Sequence, residues 1–208
     1  MREGARLLLV RHGRHDWLGP ANNRIAGRLP GISINADGRA EAEALGRWLM
    51  ASPPDRIVSS PLERTMQTAA IIGLAVARPV AVDPRLIETG LGPWEGRSVA
   101  EIAARDPEGW RAWRTAPTRV AVPGIEPVAE IAARMLAAAE EYLRGGGVTL
   151  LVSHQDPLLA LCCRLLGLPL DAMRRLEISP GSLTEFEIVR GEAVLVTLNA
   201  RPAATPPC

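Results

Sequence analysis

The 208-residue chain contains no lysine, so all 24 of its basic side chains are arginines. Together with the abundance of alanine and proline, this reads as the base composition of a genome and not as a functional signal. Cysteine is scarce as well: Cys162, Cys163 and Cys208 are too few for a disulfide framework or a zinc site. Cys162 and Cys163 lie in an apolar helical run, where buried free thiols are expected, and that fits a reducing compartment. No apolar run approaches the ~20 residues of a membrane span, and Met1 to Arg6 is too short and too polar for a secretory signal. A cytoplasmic protein is therefore expected. A net charge of +1 lacks the basic excess that nucleic-acid or membrane-surface binding needs. No glycine-rich phosphate loop follows a strand, since Gly145 to Gly147 precedes one, which argues against nucleotide binding.

Histidine is also rare, with three in the whole chain, and two of them are placed alike. Leu7 to Gly13 reads LLLVRHG, a short apolar run that stops abruptly on arginine, histidine and glycine. A run of that length and composition suits a strand buried on both faces of a parallel sheet. Val148 to Ser153 is a second such run, and it ends on His154. Ligands of open α/β sheets bind outside the carboxyl ends of the strands. Either histidine alone is better read as a satisfied polar residue at the edge of a core; the pair with Arg11 points to a phosphate or other anion site.

Alternating β and α signals run along the chain. Arg14 to Ile34 is a loop too long for a mere connector and so a candidate to line a site. Asp37 is expected to cap a helix over Gly38 to Met50 with Ala40, Ala44, Leu45, Trp48 and Leu49 on one face. Arg56 to Ser59 reads as a strand, Leu62 to Val76 as a helix opened by Ser60 and Pro61, and Val80 to Val82 as a short strand. Glu88 to Arg97 is loop, followed by short helices over Val99 to Arg105 and Glu108 to Arg114 and an irregular link from Pro117 to Pro127. A long helix runs from Pro127 to Leu143, closed by three glycines. After strand Val148 to Ser153 comes a helix beginning beyond Pro157 and reaching Leu166, then a hairpin of Leu183 to Val189 and Ala193 to Leu198. The fold class that follows is α/β: a three-layer αβα sandwich around a mainly parallel sheet. Residues 1–200 are expected to form a single domain with Glu88 to Glu126 as a lid or side wall, and 201–208 a disordered tail.

Arg11, His12 and Gly13 after a buried strand resemble the signature of the histidine phosphatase superfamily, also called phosphoglycerate mutase-like. Three further stretches in the right order carry the same resemblance: Ser59 to Thr65 (SSPLERT), Glu88 with Gly92, Trp94, Glu95 and Gly96, and Val152, Ser153 and His154. The similarity spans Leu7 to about Val189. It implies a phosphohistidine enzyme in which His12 is the nucleophile, Arg11 and Arg64 clamp the phosphate as forked donors, His154 donates to phosphoryl oxygens, and Glu88 is the proton donor to the leaving alcohol. Read without the family, Arg64 is a solvated helix residue by default, although its place near a helix amino terminus after a strand favours an anion. On the same terms Glu88 is a surface carboxylate with Glu95 an equal candidate. Asn23, Arg24 and Gln155 are further candidate substrate contacts. His15 is read as an exposed polar residue, and Trp17, Trp94, Trp110 and Trp113 as packed side-wall residues.

Departures from the family pattern are Leu18, Ile87, Leu91 and Gln155, which bear on substrate identity more than on activity. The compact segment between Glu88 and His154 resembles the phosphatase branch, although Arg111, Arg114 and Arg119 leave a carboxylate-binding mutase as the alternative. A catalytically silent phosphate-binding module is a further alternative, disfavoured by the presence of all five inferred catalytic residues. The resemblance implies no metal or other cofactor, because arginines and His154 supply the charge. The expected partners are a small phosphomonoester and, as a candidate, a second copy of the chain in a homodimer.

Overall fold

A computed structural model describes residues 1, 3–19 and 22–202. The expected disorder of the tail beyond Pro202, and Cys208 with it, lies outside the described residues. Six strands form one sheet: β1 (Arg6–Arg11), β2 (Arg56–Ser59), β3 (Val80–Val82), β4 (Val148–Ser153), β5 (Leu183–Val189) and β6 (Glu192–Ala200). Their order is β3-β2-β4-β1-β5-β6; the first four are parallel, and β5 and β6 join antiparallel. Six α-helices accompany them: α1 (Ala36–Leu49), α2 (Glu63–Val76), α3 (Val99–Arg105), α4 (Pro107–Thr115), α5 (Val128–Arg144) and α6 (Gln155–Leu165).

The period-two geometry of β1 shows why its apolar run is continuous. Leu7 and Leu9 face α5 and α6, in a core with Met135, Ala139, Leu159 and Cys163. Leu8 and Val10 point the other way, to Leu45 and Leu49 of α1 and Ala69 and Ile72 of α2. Both faces are therefore covered, and no polar position is tolerated until the strand ends. The result is the expected three-layer αβα arrangement. From β1 the chain turns to the α1/α2 face, whereas from β4 it turns into α6 on the opposite face. A crevice opens between two adjacent strands whose connections diverge in this way. Among the described residues no helix is long and apolar enough to cross a membrane.

Several boundaries differ from expectation. The cap of α1 is Asn35, not Asp37, because the Asn35 side chain accepts from the Gly38 amide at 3.0 Å. Its buried face is Gly38, Ala42, Leu45, Gly46 and Leu49, while Ala40 is exposed and Trp48 is 44% exposed. The cause is tertiary. A Cβ on Gly38 would stand 2.2 Å from the Arg14 carbonyl oxygen, and one on Gly13 would stand 2.4 Å from that of Gly38. Backbone therefore packs on backbone directly behind His12 and sets the rotation of α1. Helix α6 begins at Gln155, with Pro157 inside its first turn, where a missing N–H costs nothing. The second hairpin strand extends to Ala200. Between β3 and α5, Leu86, Leu91, Trp94, Ile102 and Trp113 enter the core beside α5 and α6.

Candidate active site

Four neighbouring chain segments deliver polar side chains to the crevice. His12 is the first residue past β1, and its amide donates to the Ser153 carbonyl at 3.0 Å. His154 is the first residue past β4. Ser60 follows β2, with its amide on the Val152 carbonyl at 2.9 Å. The segment after β3 is tied in by the Ser153 hydroxyl, which donates to the Leu86 carbonyl at 2.7 Å and thereby fixes the approach to Glu88. Arg11 ends β1, and Arg64 occupies the first turn of α2, where free amide groups add positive potential.

The two imidazoles lie with ring centroids 5.2 Å apart and are engaged through different atoms. Nδ1 of His12 is 2.9 Å from the Gly13 carbonyl oxygen. A carbonyl only accepts, so Nδ1 carries the proton and Nε2 keeps a lone pair. On His154 the engaged atom is Nε2, 2.8 Å from the Ser60 hydroxyl, and Nδ1 is 3.8 Å from Oε2 of Glu88. Burial, reinforced by Arg64 and Arg11, holds the pKa of His12 well below the ordinary histidine value. Burial and Arg64 do the same to His154. Both rings are neutral at physiological pH.

Arg64 is fully buried, and of its donors Nη2 bonds the Gly27 carbonyl at 2.8 Å. Arg11 bonds the Ile178 carbonyl at 2.8 Å through Nη1. Nε of Arg11, Nε and Nη1 of Arg64, and Nδ1 of His154 are buried with no partner among the described residues. Burial pulls the Arg11 guanidinium down to about 10, where it remains cationic, and lowers that of Arg64. Leaving buried N–H groups of cations unsatisfied costs about 1–3 kcal/mol each or more. A bound anion removes that cost.

Glu88 stands at the same cavity, its Oε1 accepting from the Thr89 amide at 2.8 Å. Burial, and then the negative charge of Asp156, push its carboxyl up to about 7 against the pull of Arg64. Glu95, its equal in a bare reading of the residues, has another task. Its Oε1 accepts from the amides of Arg28 and Leu91 at 3.1 and 3.0 Å, pinning two loops together. The cavity encloses about 230 Å³ and also brings in Asn23, Gln155, Trp110 and Arg114.

The chain is similar to known proteins in sequence and in fold. Residues 7–201 match the model of the histidine phosphatase superfamily (branch 1). The chain belongs to that superfamily. Phosphoserine phosphatase 1 of Hydrogenobacter thermophilus is 30% identical over 93% of this chain and 92% of its own length. A probable phosphoglycerate mutase of Yersinia enterocolitica is 35% identical over 87% of the chain and 84% of its own. A solved mycobacterial glucosyl-3-phosphoglycerate phosphatase, in complex with VO3, superposes with a TM-score of 0.85 at 31% identity, covering 94% of this chain and 99% of that one.

Within this histidine phosphatase, the expected secondary contacts are distributed between the cavity rim and the surface. Arg24 is exposed at the cavity rim, and its guanidinium is taken up by the Gly96 carbonyl at 2.9 Å and Oδ1 of Asn22 at 3.1 Å, so it braces the loop. Asn23 is at the same rim, its carbonyl accepting from the Val99 amide at 2.9 Å. Arg111 and Arg119 are exposed and do not line the cavity. His15, expected on the surface, is 2% exposed and stacks on His12 with centroids 5.3 Å apart. Burial, then Arg64, bring it down to about 4, so it is a neutral wall beside His12. Trp94 packs edge-on against Trp110 and Trp113 as a side wall, but Trp110 and Trp113 also face the cavity. Asp156 and Arg174 were not singled out by the sequence. They form an ion pair at the cavity, with Arg174 stacked 4.8 Å over Trp113. The adjacency of Asp156 to His154 was the available signal; for Arg174 there was none.

Proposed function

We propose that this histidine phosphatase hydrolyses a small phosphomonoester through a phosphohistidine on His12. The observation that carries the reading is a neutral imidazole, its lone pair at Nε2, surrounded by buried and unpartnered N–H groups of Arg11, Arg64 and His154. Nε2 attacks phosphorus in line, forming the N–P bond as the P–O bond to the alcohol breaks. Positive charge develops on the ring as this happens, and the Nδ1–H bond to the Gly13 carbonyl stabilises it. Arg11 and Arg64 neutralise the phosphoryl oxygens, and Nδ1–H of His154 donates to one of them, with the Ser60 hydroxyl donating to its Nε2. Glu88, its carboxyl pushed up to about 7 and so still substantially protonated near neutral pH, gives its proton to the departing alkoxide. In the second half, the Glu88 carboxylate takes a proton from water as water attacks phosphorus and the N–P bond breaks.

The relatives named for phosphoserine and glucosyl-3-phosphoglycerate support a small polar alcohol as the leaving group. Arg114 at the rim, 6.0 Å from the Trp110 ring, supports a second reading, a mutase that holds a carboxylated substrate. The decisive experiment is rapid acid or base quench of the enzyme with radiolabelled phosphomonoester in the presence of chelator. Base-stable, acid-labile label on the protein that is absent from His12→Ala establishes the intermediate. Turnover without such label, or loss of turnover on chelation, would remove it. Transfer of the label to an added phosphoglycerate in preference to water would make the protein a mutase.

A further inference from the structure

The segment that carries Glu88 is loop, with Gly90, Gly92 and Pro93 close behind it, so apart from the Thr89 amide on Oε1 its own backbone does little to hold the carboxyl in place. It is held from outside. The Glu88 carbonyl accepts from Nε of Arg28 at 2.8 Å and from Nη2 of Arg134 at 3.4 Å. Nη1 of Arg134 reaches two more carbonyls of the same segment, those of Arg85 and Ile87, at 2.6 and 2.7 Å. Both arginines then converge on one carboxylate. Glu126 accepts from Nη2 of Arg28 at 2.7 Å and from Nε and Nη2 of Arg134 at 2.8 and 3.1 Å. Its Oε2 also accepts from the Gly90 amide at 3.2 Å, and its own amide donates to the Gly90 carbonyl at 2.8 Å.

Arg28 comes from the loop after β1, Glu126 from the turn before α5, and Arg134 from α5 itself. None of the three lines the cavity. Arg134 and Glu126 are only 16% and 14% exposed, and their bidentate geometry is far from a loose surface ion pair. A planar guanidinium can meet successive carbonyls and a carboxylate at once, which a single ammonium cannot.

We propose that Glu126 and Arg134, aided by Arg28, are positioning residues that hold the Glu88 carboxyl at proton-transfer distance from the leaving oxygen. The proposal rests on Glu88 being the acid. Loosening the clamp displaces the carboxyl and lets water reach it, which within the phosphorylation half-reaction affects the alkyl ester, whose alkoxide needs a proton, and spares the aryl ester. A misplacement of about 1 Å costs on the order of 10²-fold in such a step.

Arg134→Lys is the test, with Glu126→Gln as a second, isosteric variant should the first fail to fold, and Glu88→Gln as the reference. Each is assayed on an alkyl phosphate and on p-nitrophenyl phosphate, whose leaving oxygen hardly needs a proton, over a range of pH. The expected result is a fall of about 30- to 100-fold in kcat/KM, which reads the phosphorylation half-reaction alone, on the alkyl ester and of less than about threefold on the aryl ester. KM should hold, and the alkaline limb of the alkyl profile should move to lower pH. Equal losses on both esters with an unmoved limb, while Glu88→Gln still discriminates between them, would make the clamp merely structural and overturn the proposal. If Glu88→Gln itself fails to discriminate, Glu88 is not the acid and the proposal falls with that assignment.

Discussion

His12 and His154 end two neighbouring parallel strands at the same height, yet their rings are engaged through different nitrogens. The difference lies in what each ring meets on its far side. His12 meets a backbone carbonyl, an obligate acceptor, which leaves a lone pair facing the cavity. His154 meets a hydroxyl, which can donate, and so its Nδ1, 3.8 Å from Oε2 of Glu88, can carry the proton instead. In the proposed mechanism one strand end thereby carries a nucleophile and the next an electrophilic donor, although the two rings share burial and the same neighbouring arginines. Side-chain identity and strand position do not assign a histidine its role; the partner of its second nitrogen does.

The comparison breaks most completely at His12. His12→Ala should lower kcat on any phosphomonoester by at least about 10⁴-fold, since no other group can form the covalent intermediate. His154→Ala should cost less, about 10²- to 10³-fold, because it removes one donor to the phosphoryl group and leaves the nucleophile. Steady-state kinetics on the two variants checks the ranking, and equal losses would mean that the rings act as one unit. Glu88→Gln comes next, with a loss of about 10²-fold on alkyl esters and little on p-nitrophenyl phosphate. Because the Glu88 carboxyl titrates at about 7, its protonated form is lost as pH rises through that value. The kcat for alkyl esters should therefore decline on the alkaline side of 7 while that for aryl esters stays level, as stopped assays across pH would show. Ser60→Ala is the finest probe, expected to cost about tenfold. It frees the tautomer of His154 alone, so nitrogen NMR of the imidazoles should show a mixed His154 and an unchanged Nδ1–H form of His12.

Much of this arrangement is legible in the chain itself. The strands through Leu7 to Val10 and Val148 to Val152 announce themselves as short apolar runs, and their abrupt polar ends mark the crevice. Arg11, His12, Arg64 and Glu88, picked from motif order, do line one cavity, and His154 is buried against them with its ring 5.2 Å from that of His12. Glu88 and Glu95 could not be told apart by composition or spacing; the structure separates them because Glu95 is consumed by the amides of Arg28 and Leu91. His15 was misread because the loop after β1 folds back and stacks it on His12, a contact that no periodicity announces. The face of α1 was misread for a similar reason, since the approach of Gly13 to Gly38 overrides the apolar pattern of the helix. The clamp of Arg28, Glu126 and Arg134 left no local trace at all.

What the sequence by itself determined is the parallel sheet with histidines at two strand ends, because burial on both faces writes itself into consecutive residues. Only the tertiary structure decided which nitrogen of each imidazole is engaged, which carboxyl is pushed up to about 7 and which arginine N–H groups are buried without a partner among the described residues. Those properties depend on partners far along the chain, Ser60 being 94 residues from His154 and Ile178 being 167 from Arg11. Local pattern records burial, whereas protonation follows from hydrogen bonds and fields that exist only once distant segments have been brought together.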